Sequence, residues 1–329
     1  MRHLLNSRLW QVTGAAVLVA AVTLLTATGA TSARLTVCTT GCQYTTIAAA
    51  LAAANDGDTI TVGPGTYSGE FTIGVSVRLV GAGPRDTKIV GRGVNQSSPG
   101  PAVVTIASGT TVSISQVKVT RGFSQFFGGG IDNSGSLTLR DALVDDNFAA
   151  TGGGIYNHVG ASATVFRSTI SDNIGGSIEN PAGAGGGIFN EGTIALQHTR
   201  LVGNGSGGDA GSGAGIYNTD TGTAVFRKSR IVDNVVDGFF GGNGGGIENG
   251  GTMTLWRTPV VENTVHSGDG AASGGGISNS GRLTLVRSWV TENVASGAFA
   301  SGGGVANGGS ITLIKSGVIR NVPDNCVGC

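Results

Sequence analysis

The sequence predicts an all-β chain: a single-stranded right-handed parallel β-helix, with three short strands per coil, about ten coils and a short N-terminal capping helix. Three observations carry that prediction. Glycine supplies 60 of the 329 residues, with no Gly-X-Y period and only 7 prolines, which excludes collagen and places glycine at recurring turns. A Gly-Gly-Gly-Ile-x-Asn block recurs seven times between residues 128 and 321. A second asparagine closes each unit, and between the two asparagines apolar residues alternate with the period of a strand.

The first segment, 1–33, reads as an export signal. Arg2 and Arg8 precede a short apolar run from Ala15 to Ala27, and small residues follow. Cleavage is expected after Ala33, with Ala30 the alternative. The run falls short of the ~20 residues a membrane span needs, and the mature chain is expected to carry none. Without Arg2 and Arg8 the chain holds 18 basic against 20 acidic residues, a balance that attracts neither nucleic acid nor an anionic membrane.

Residues 34–58 read as an N-terminal cap. Thr45 to Ala54 is a short amphipathic helix with Ile47, Leu51 and Ala54 on one face, suited to covering the apolar end of a solenoid. The four cysteines form two close pairs, Cys38 with Cys42 and Cys326 with Cys329. Four cysteines allow three pairings. A solenoid holds its ends far apart, so local pairing is expected, and a zinc site drawing on both pairs is excluded. Residues 59–127 read as less regular coils, with strands at 58–62, 75–80, 87–90, 102–106 and 112–119 and a turn at Gly63–Tyr67.

Seven repeats fill 128–321. Their glycine blocks begin at Gly128, Gly152, Gly185, Gly213, Gly244, Gly274 and Gly302. Their closing asparagines are Asn147, Asn173, Asn204, Asn234, Asn263, Asn293 and Asn321. The first asparagine lies 14 residues before the second in five units and 16 in two. Length variation therefore falls in the segment between the closing asparagine and the next glycine block. Alignment on the closing asparagine exposes three strands, led by Ile-x-Asn, then pairs such as Leu283/Leu285, then pairs such as Ser288/Val290. Glycine and asparagine are assigned to the corners because both tolerate the left-handed region, and stacked asparagines are expected to hydrogen-bond along the axis. A short tail, 322–329, carries the second cysteine pair and makes a thin cap.

These residues resemble a known superfamily. The segment TTIAAALAAANDGDTITVGPGTY (45–67) and the following VSVRLVGAG (75–83) resemble the first coils of pectin-lyase-like right-handed β-helices. The GGGI-x-N units are similar to the repeats of chlamydial polymorphic membrane proteins and of bacterial secreted β-helix proteins. The resemblance spans about residues 36–321 and implies fold, since the superfamily mixes lyases, hydrolases, epimerases and adhesins. It transfers no catalytic residue: the acidic cluster and catalytic cation of pectate lyases map onto no positions here.

Candidate sites are three. Asp146, Asp172, Asp233, Glu262 and Glu292 each precede a closing asparagine. Stacking sets neighbours about 5 Å apart, which makes Asp233, Glu262 and Glu292 candidate calcium ligands or, more simply, solvated turn residues. No other cofactor is indicated. Five residues further upstream runs a basic row, Arg167, His198, Lys228, Arg257, Arg287 and Lys315, broken by Asp141. An acidic polysaccharide can lie along such a row, and long stems can equally cover apolar corners. Phe123, Phe126, Phe127, Phe239, Phe240 and Phe299 fall in the variable segments, with Trp256 and Trp289 at a corner and an outward strand position. The ligand-binding candidates are Arg257, Arg287, Phe239, Phe240, Trp256 and Trp289.

No histidine pattern suggests a triad, and no glycine block carries a phosphate-loop lysine. The expected function is therefore that of a secreted or surface-associated monomer binding carbohydrate or cell-wall material without catalysis. A polysaccharide lyase or glycoside hydrolase, and a structural or adhesive spacer, are the alternatives.

Overall fold

A computed structural model of the protein describes residues 32–93, 99–176 and 183–329. The leader expected at 1–33 lies outside them, apart from Ser32 and Ala33. The described chain is a parallel β-solenoid. One sheet stacks eleven strands and contains the Leu-x-Leu strands; two stack ten and contain the Ile-x-Asn and Ser-x-Val strands. The register is strict: Ile131, Ile155, Ile188, Ile216, Ile247, Ile277 and Val305 pair in sequence from coil to coil. Each of these apolar residues is fully buried, so a one-residue slip would turn a whole column to solvent.

The variable loop between the closing asparagine and the next glycine block also forms strands in its described residues. It forms a fourth parallel stack of eight strands, whose longest members are Gly205–Ser212 and Val235–Asn243. Ala214, Val236, Val265, Ala272 and Ala295 make a second small core beneath it. Sequence periodicity hides this sheet because its strands differ in length and are rich in glycine.

Both sets of asparagines form buried ladders. Asn157 Nδ2 donates to Asn190 Oδ1 at 2.8 Å, and the contact repeats from Asn133 to Asn307. The closing asparagines do the same from Asn147 to Asn321. A hydroxyl ladder accompanies them: the Thr199 N–H donates to Ser229 Oγ at 3.1 Å and the Ser288 N–H to Ser316 Oγ at 3.0 Å. These contacts satisfy corner backbone that strand pairing does not reach.

The left-handed corners are placed differently from the sequence expectation. The first glycine of each block has positive φ, 56° at Gly128 and 60° at Gly244. The closing asparagines do not; the residue before each one does, as at Asp233 (56°) and Glu262 (57°). The asparagine is kept for its amide, and its neighbour takes the turn. The second and third glycines answer to space: a Cβ on Gly130 would sit 2.6 Å from the Gly154 carbonyl oxygen.

The capping helix runs Ile47–Ala53, its N-terminus held by Thr46 Oγ1 accepting from the Ala49 N–H. It buries Ile47, Ala50 and Leu51 against the first coils. The cap region also contains a strand, Arg34–Val37, paired with Thr59–Val62. The run read as one strand over 112–119 is two, Thr111–Ser115 and Lys118–Thr120, divided by a left-handed corner at Gln116. Tyr67, read as part of a turn, lies on the strand Gly65–Ser68. Both cysteine pairs close as expected, with Cα–Cα separations of 5.5 Å for Cys38–Cys42 and 6.0 Å for Cys326–Cys329. At the C-terminal end the tail covers one sheet, through Cys326–Val327 on Val305–Ala306, and leaves Leu313 43% exposed. Among the described residues no helix is long and apolar enough to cross a membrane.

Candidate functional site

The two charged rows occupy corners with the same backbone requirement. The basic row sits between the Leu-x-Leu and Ser-x-Val sheets, with φ of 47° at Arg167, 49° at Arg257 and 50° at Arg287. The acidic row sits at the next corner, where Asp233, Glu262 and Glu292 are exposed. Their N–H groups donate to the coil above, to the carbonyls of Val261, Thr291 and Arg320. Among the described residues no three His, Cys, Asp or Glu side chains converge in a set able to hold a metal ion.

The aromatic candidates are dispersed. Phe239 and Phe240 meet edge to face at 4.7 Å on the fourth sheet and are 57% and 61% exposed. Trp256 ends a Leu-x-Leu strand, with the Arg257 guanidinium 4.6 Å from its ring centroid and the Lys228 ammonium at 5.8 Å. Trp289 begins a Ser-x-Val strand and lies over Gly317, where a Cβ would fall 2.4 Å from the ring. Phe239 and Phe240 lie on the fourth sheet, away from Trp256 and Trp289, which flank the basic corner in adjacent coils.

A different face does gather chemistry. The middle residue of each Ile-x-Asn strand points outward, and its column reads Asp132, Tyr156, Phe189, Tyr217, Glu248, Ser278 from coil to coil. Tyr156 and Phe189 stack with centroids 5.0 Å apart and planes at 14°; Phe189 and Tyr217 repeat the arrangement at 5.0 Å and 13°. Phe127, from the fourth sheet, adds a tilted ring 4.6 Å from Tyr156. Strand register alone brings these rings together, because equivalent positions stack about 4.8 Å apart. Since the rings cover one another's faces, they present their electropositive edges outward.

Carboxylates flank the rings. His158 Nε2 meets Asp132 Oδ1 at 2.6 Å, and the Tyr156 hydroxyl donates to Glu191 Oε2 at 2.8 Å. Burial raises Asp132 above the usual carboxylate range, partly offset by His158. Glu248 is pushed up to about 7, chiefly by burial, and its Oε2 has no hydrogen-bond partner. Burial, with the Glu248 and Asp220 charges, raises Tyr217.

Over Phe189 and Tyr217 opens a groove of about 520 Å³, within the range of small-ligand sites. One wall is the edge of the fourth sheet, with Thr151, Ala184 and Ser212; the other is the turn region after the Ile-x-Asn strands, with Thr219, Asp220 and Ser280. Hydroxyls and backbone thus rim an aromatic floor, and Asp220 is the charged residue of the lining. The sequence reading passed over these residues because it treated x in Ile-x-Asn as filler. Their signal is the run Tyr, Phe, Tyr at x in three consecutive repeats.

No protein-family model and no curated protein matches the sequence. Solved structures do match. The pectate lyase Pel9A aligns over 88% of this chain and 79% of its own, with 18% identity and a TM-score of 0.54. The pectin methylesterase of Aspergillus niger aligns over 90% and 93%, with 15% identity and a TM-score of 0.52. The chain has the pectin-lyase-like β-helix fold. At these identities the likeness is one of architecture, and the site is judged on its own residues.

Proposed function

We propose that the protein is an extracellular, non-catalytic glycan-binding solenoid whose groove takes a neutral polysaccharide strand. The observation that carries this reading is the Phe189–Tyr217 floor beneath hydroxyl-lined walls. Ring edges and hydroxyls suit sugar hydroxyls, and the lining carboxylate of Asp220 disfavours uronates. The structural neighbours are named for pectin-directed activities, which agrees with a polysaccharide partner. Two disulfides in one chain fit an oxidising compartment, and secretion behind the leader at 1–33 completes the reading. The protein works as a monomer.

A hydrolytic reading is favoured by one observation, the raised and half-buried Glu248, which resembles a general acid held protonated. Glycoside hydrolysis needs a second carboxyl group about 5 to 9.5 Å away. Asp132, four strands along the same column, is about 19 Å away at the backbone, so the second carboxyl would be that of Asp220, whose charge acts on Tyr217 together with that of Glu248.

Incubation with neutral and uronate polysaccharides, followed by product analysis and a binding measurement on the same samples, separates the readings. Saturable binding of neutral glycans without new reducing ends or unsaturated products is expected. Product formation that is lost in Glu248→Gln establishes the hydrolytic reading instead.

A further inference from the structure

Formal charge balances over the whole chain, yet the outer face of the Leu-x-Leu sheet and its basic corner are acid-free from Ser162 to Lys315. Outward residues of these strands are Ser, Thr, Ala, Val, Ile, Gln, Phe, Trp and Arg. The corner adds His198, Lys228, Arg257, Arg287 and Lys315, all exposed. Just past it, Arg200 and Arg230 pair directly in adjacent strands, a like-charge juxtaposition that costs stability. Among the described residues the basic row has one ion pair, Arg167 with Asp141 at 2.7 Å; the cations from Arg200 to Lys315 have none.

The backbone does not explain this arrangement. The corner requires positive φ, for which glycine and asparagine are the economical residues. The following corner has the same requirement and carries acids. The sign of the charge is therefore a property of the surface rather than of the turn. Stem packing accounts for some of the row, since Arg257 and Lys228 lie over Trp256; it does not account for Arg200 beside Arg230.

We infer that this face is a second binding surface, and that it docks a polyanionic polysaccharide lengthwise along the corner. Exposed cations recur at the coil spacing of about 4.8 Å, which matches a linear partner with regularly repeated charge. Arginine predominates, and its fork pairs with oxyanions in two parallel hydrogen bonds. Toward the cations stand Thr254 and Thr284, outward on the Leu-x-Leu strands, and the partly exposed Trp256. Hydroxyls and an aromatic ring next to a charge row favour an anionic sugar chain over a polyanion that lacks hydroxyl groups. The five-residue Leu-x-Leu strands set the basic corner about 16 Å from the groove. The inference does not depend on what the groove binds.

The test uses the full chain with dextran sulfate, neutral dextran and inorganic polyphosphate of matched length. Dextran sulfate is expected to bind, with affinity falling about tenfold between low and physiological salt; polyphosphate is expected to bind more weakly, and any dextran binding at the groove to be insensitive to salt and to both arginine pairs. Arg257→Gln/Arg287→Gln and Arg200→Gln/Arg230→Gln are each expected to weaken binding about tenfold with no fall in melting temperature, the second pair melting higher as the like-charge contact is relieved, while Tyr217→Ala leaves binding intact. Absence of dextran sulfate binding overturns the inference, as does equal binding of polyphosphate, or dextran binding that both arginine pairs weaken. Loss in Tyr217→Ala with retention in both arginine pairs overturns it too, by moving the polyanion to the groove.

Discussion

Asn263 Oδ1 accepts two hydrogen bonds from Asn234, one from its amide Nδ2 at 2.8 Å and one from its backbone N–H at 3.0 Å. Both residues are fully buried. One side-chain oxygen thus satisfies a corner of the coil below, and Asn263 Nδ2 donates onward to Asn293 Oδ1 at 2.9 Å.

Asn263→Ala strands the buried Asn234 N–H, whose amide Nδ2 keeps the carbonyls of Leu201 and Val232, and removes the Nδ2 donor to Asn293 and to the carbonyls of Ile231 and Val261. Each unsatisfied buried group costs about 1–3 kcal/mol, so a loss of roughly 3–5 kcal/mol is expected in denaturant unfolding. Asn307→Ala, at the half-exposed end of the other ladder, should cost less than half as much. Equal losses would show that burial does not set the value of the ladder.

The acidic corner gives the opposite sign. Glu262 holds a φ of 57°, which costs a non-glycine residue about 1–2 kcal/mol, and asparagine tolerates that region better. Glu262→Asn is expected to raise stability by roughly 0.5–1 kcal/mol. Millimolar calcium is expected to leave the melting temperature of the unmodified protein unchanged; a rise would restore Asp233, Glu262 and Glu292 as ligands.

Glu248 makes stability depend on pH. Its carboxyl is raised from an ordinary value near 4.5 to about 7, so between those values the folded chain binds the proton that the unfolded chain has released. The contribution is full below about pH 4.5 and is lost as pH rises through about 7. Glu248→Gln should flatten the stability profile across that window and stabilise the protein at pH 8 by on the order of 1–3 kcal/mol. Melting curves at pH 5 and pH 8 for both proteins measure it, and an unchanged difference between the two pH values contradicts it.

The first coil bears on where the leader expected at 1–33 would be cut. The Ala33 N–H donates to Asp58 Oδ1 at 2.6 Å, and its carbonyl accepts from the Thr59 N–H at 2.9 Å, so Ala33 belongs to the first coil. A mature protein beginning at Thr31 keeps both contacts, whereas one beginning at Arg34 loses them. Intact mass of the secreted protein should correspond to cleavage after Ala30.

Much of the fold was legible because stacking requires repetition. The Ile and Leu columns and the asparagine ladders follow from residues that must recur in every coil, and the capping helix from its amphipathic face. The fourth sheet was not legible, since Gly205–Ser212 and Val235–Asn243 pair through backbone and share almost no side-chain pattern. The corner assignment failed at the asparagines because a residue type favoured in left-handed turns was being used for its amide instead. The groove was missed for a related reason. Tyr156, Phe189 and Tyr217 occupy a position the scaffold leaves free, so the repeat motif carries no trace of them.

The central claim is that the Phe189–Tyr217 floor binds a neutral glycan. The direct measurement is calorimetric titration of the best-binding neutral oligosaccharide into the unmodified protein, Phe189→Ala and Tyr217→Ala, each checked for an unchanged far-ultraviolet spectrum. Both substitutions are expected to weaken binding by about tenfold or more, the equivalent of about 1.4 kcal/mol, while Phe239→Ala on the fourth sheet leaves it unchanged. Full affinity in both floor variants, or loss confined to Phe239→Ala, would contradict the account.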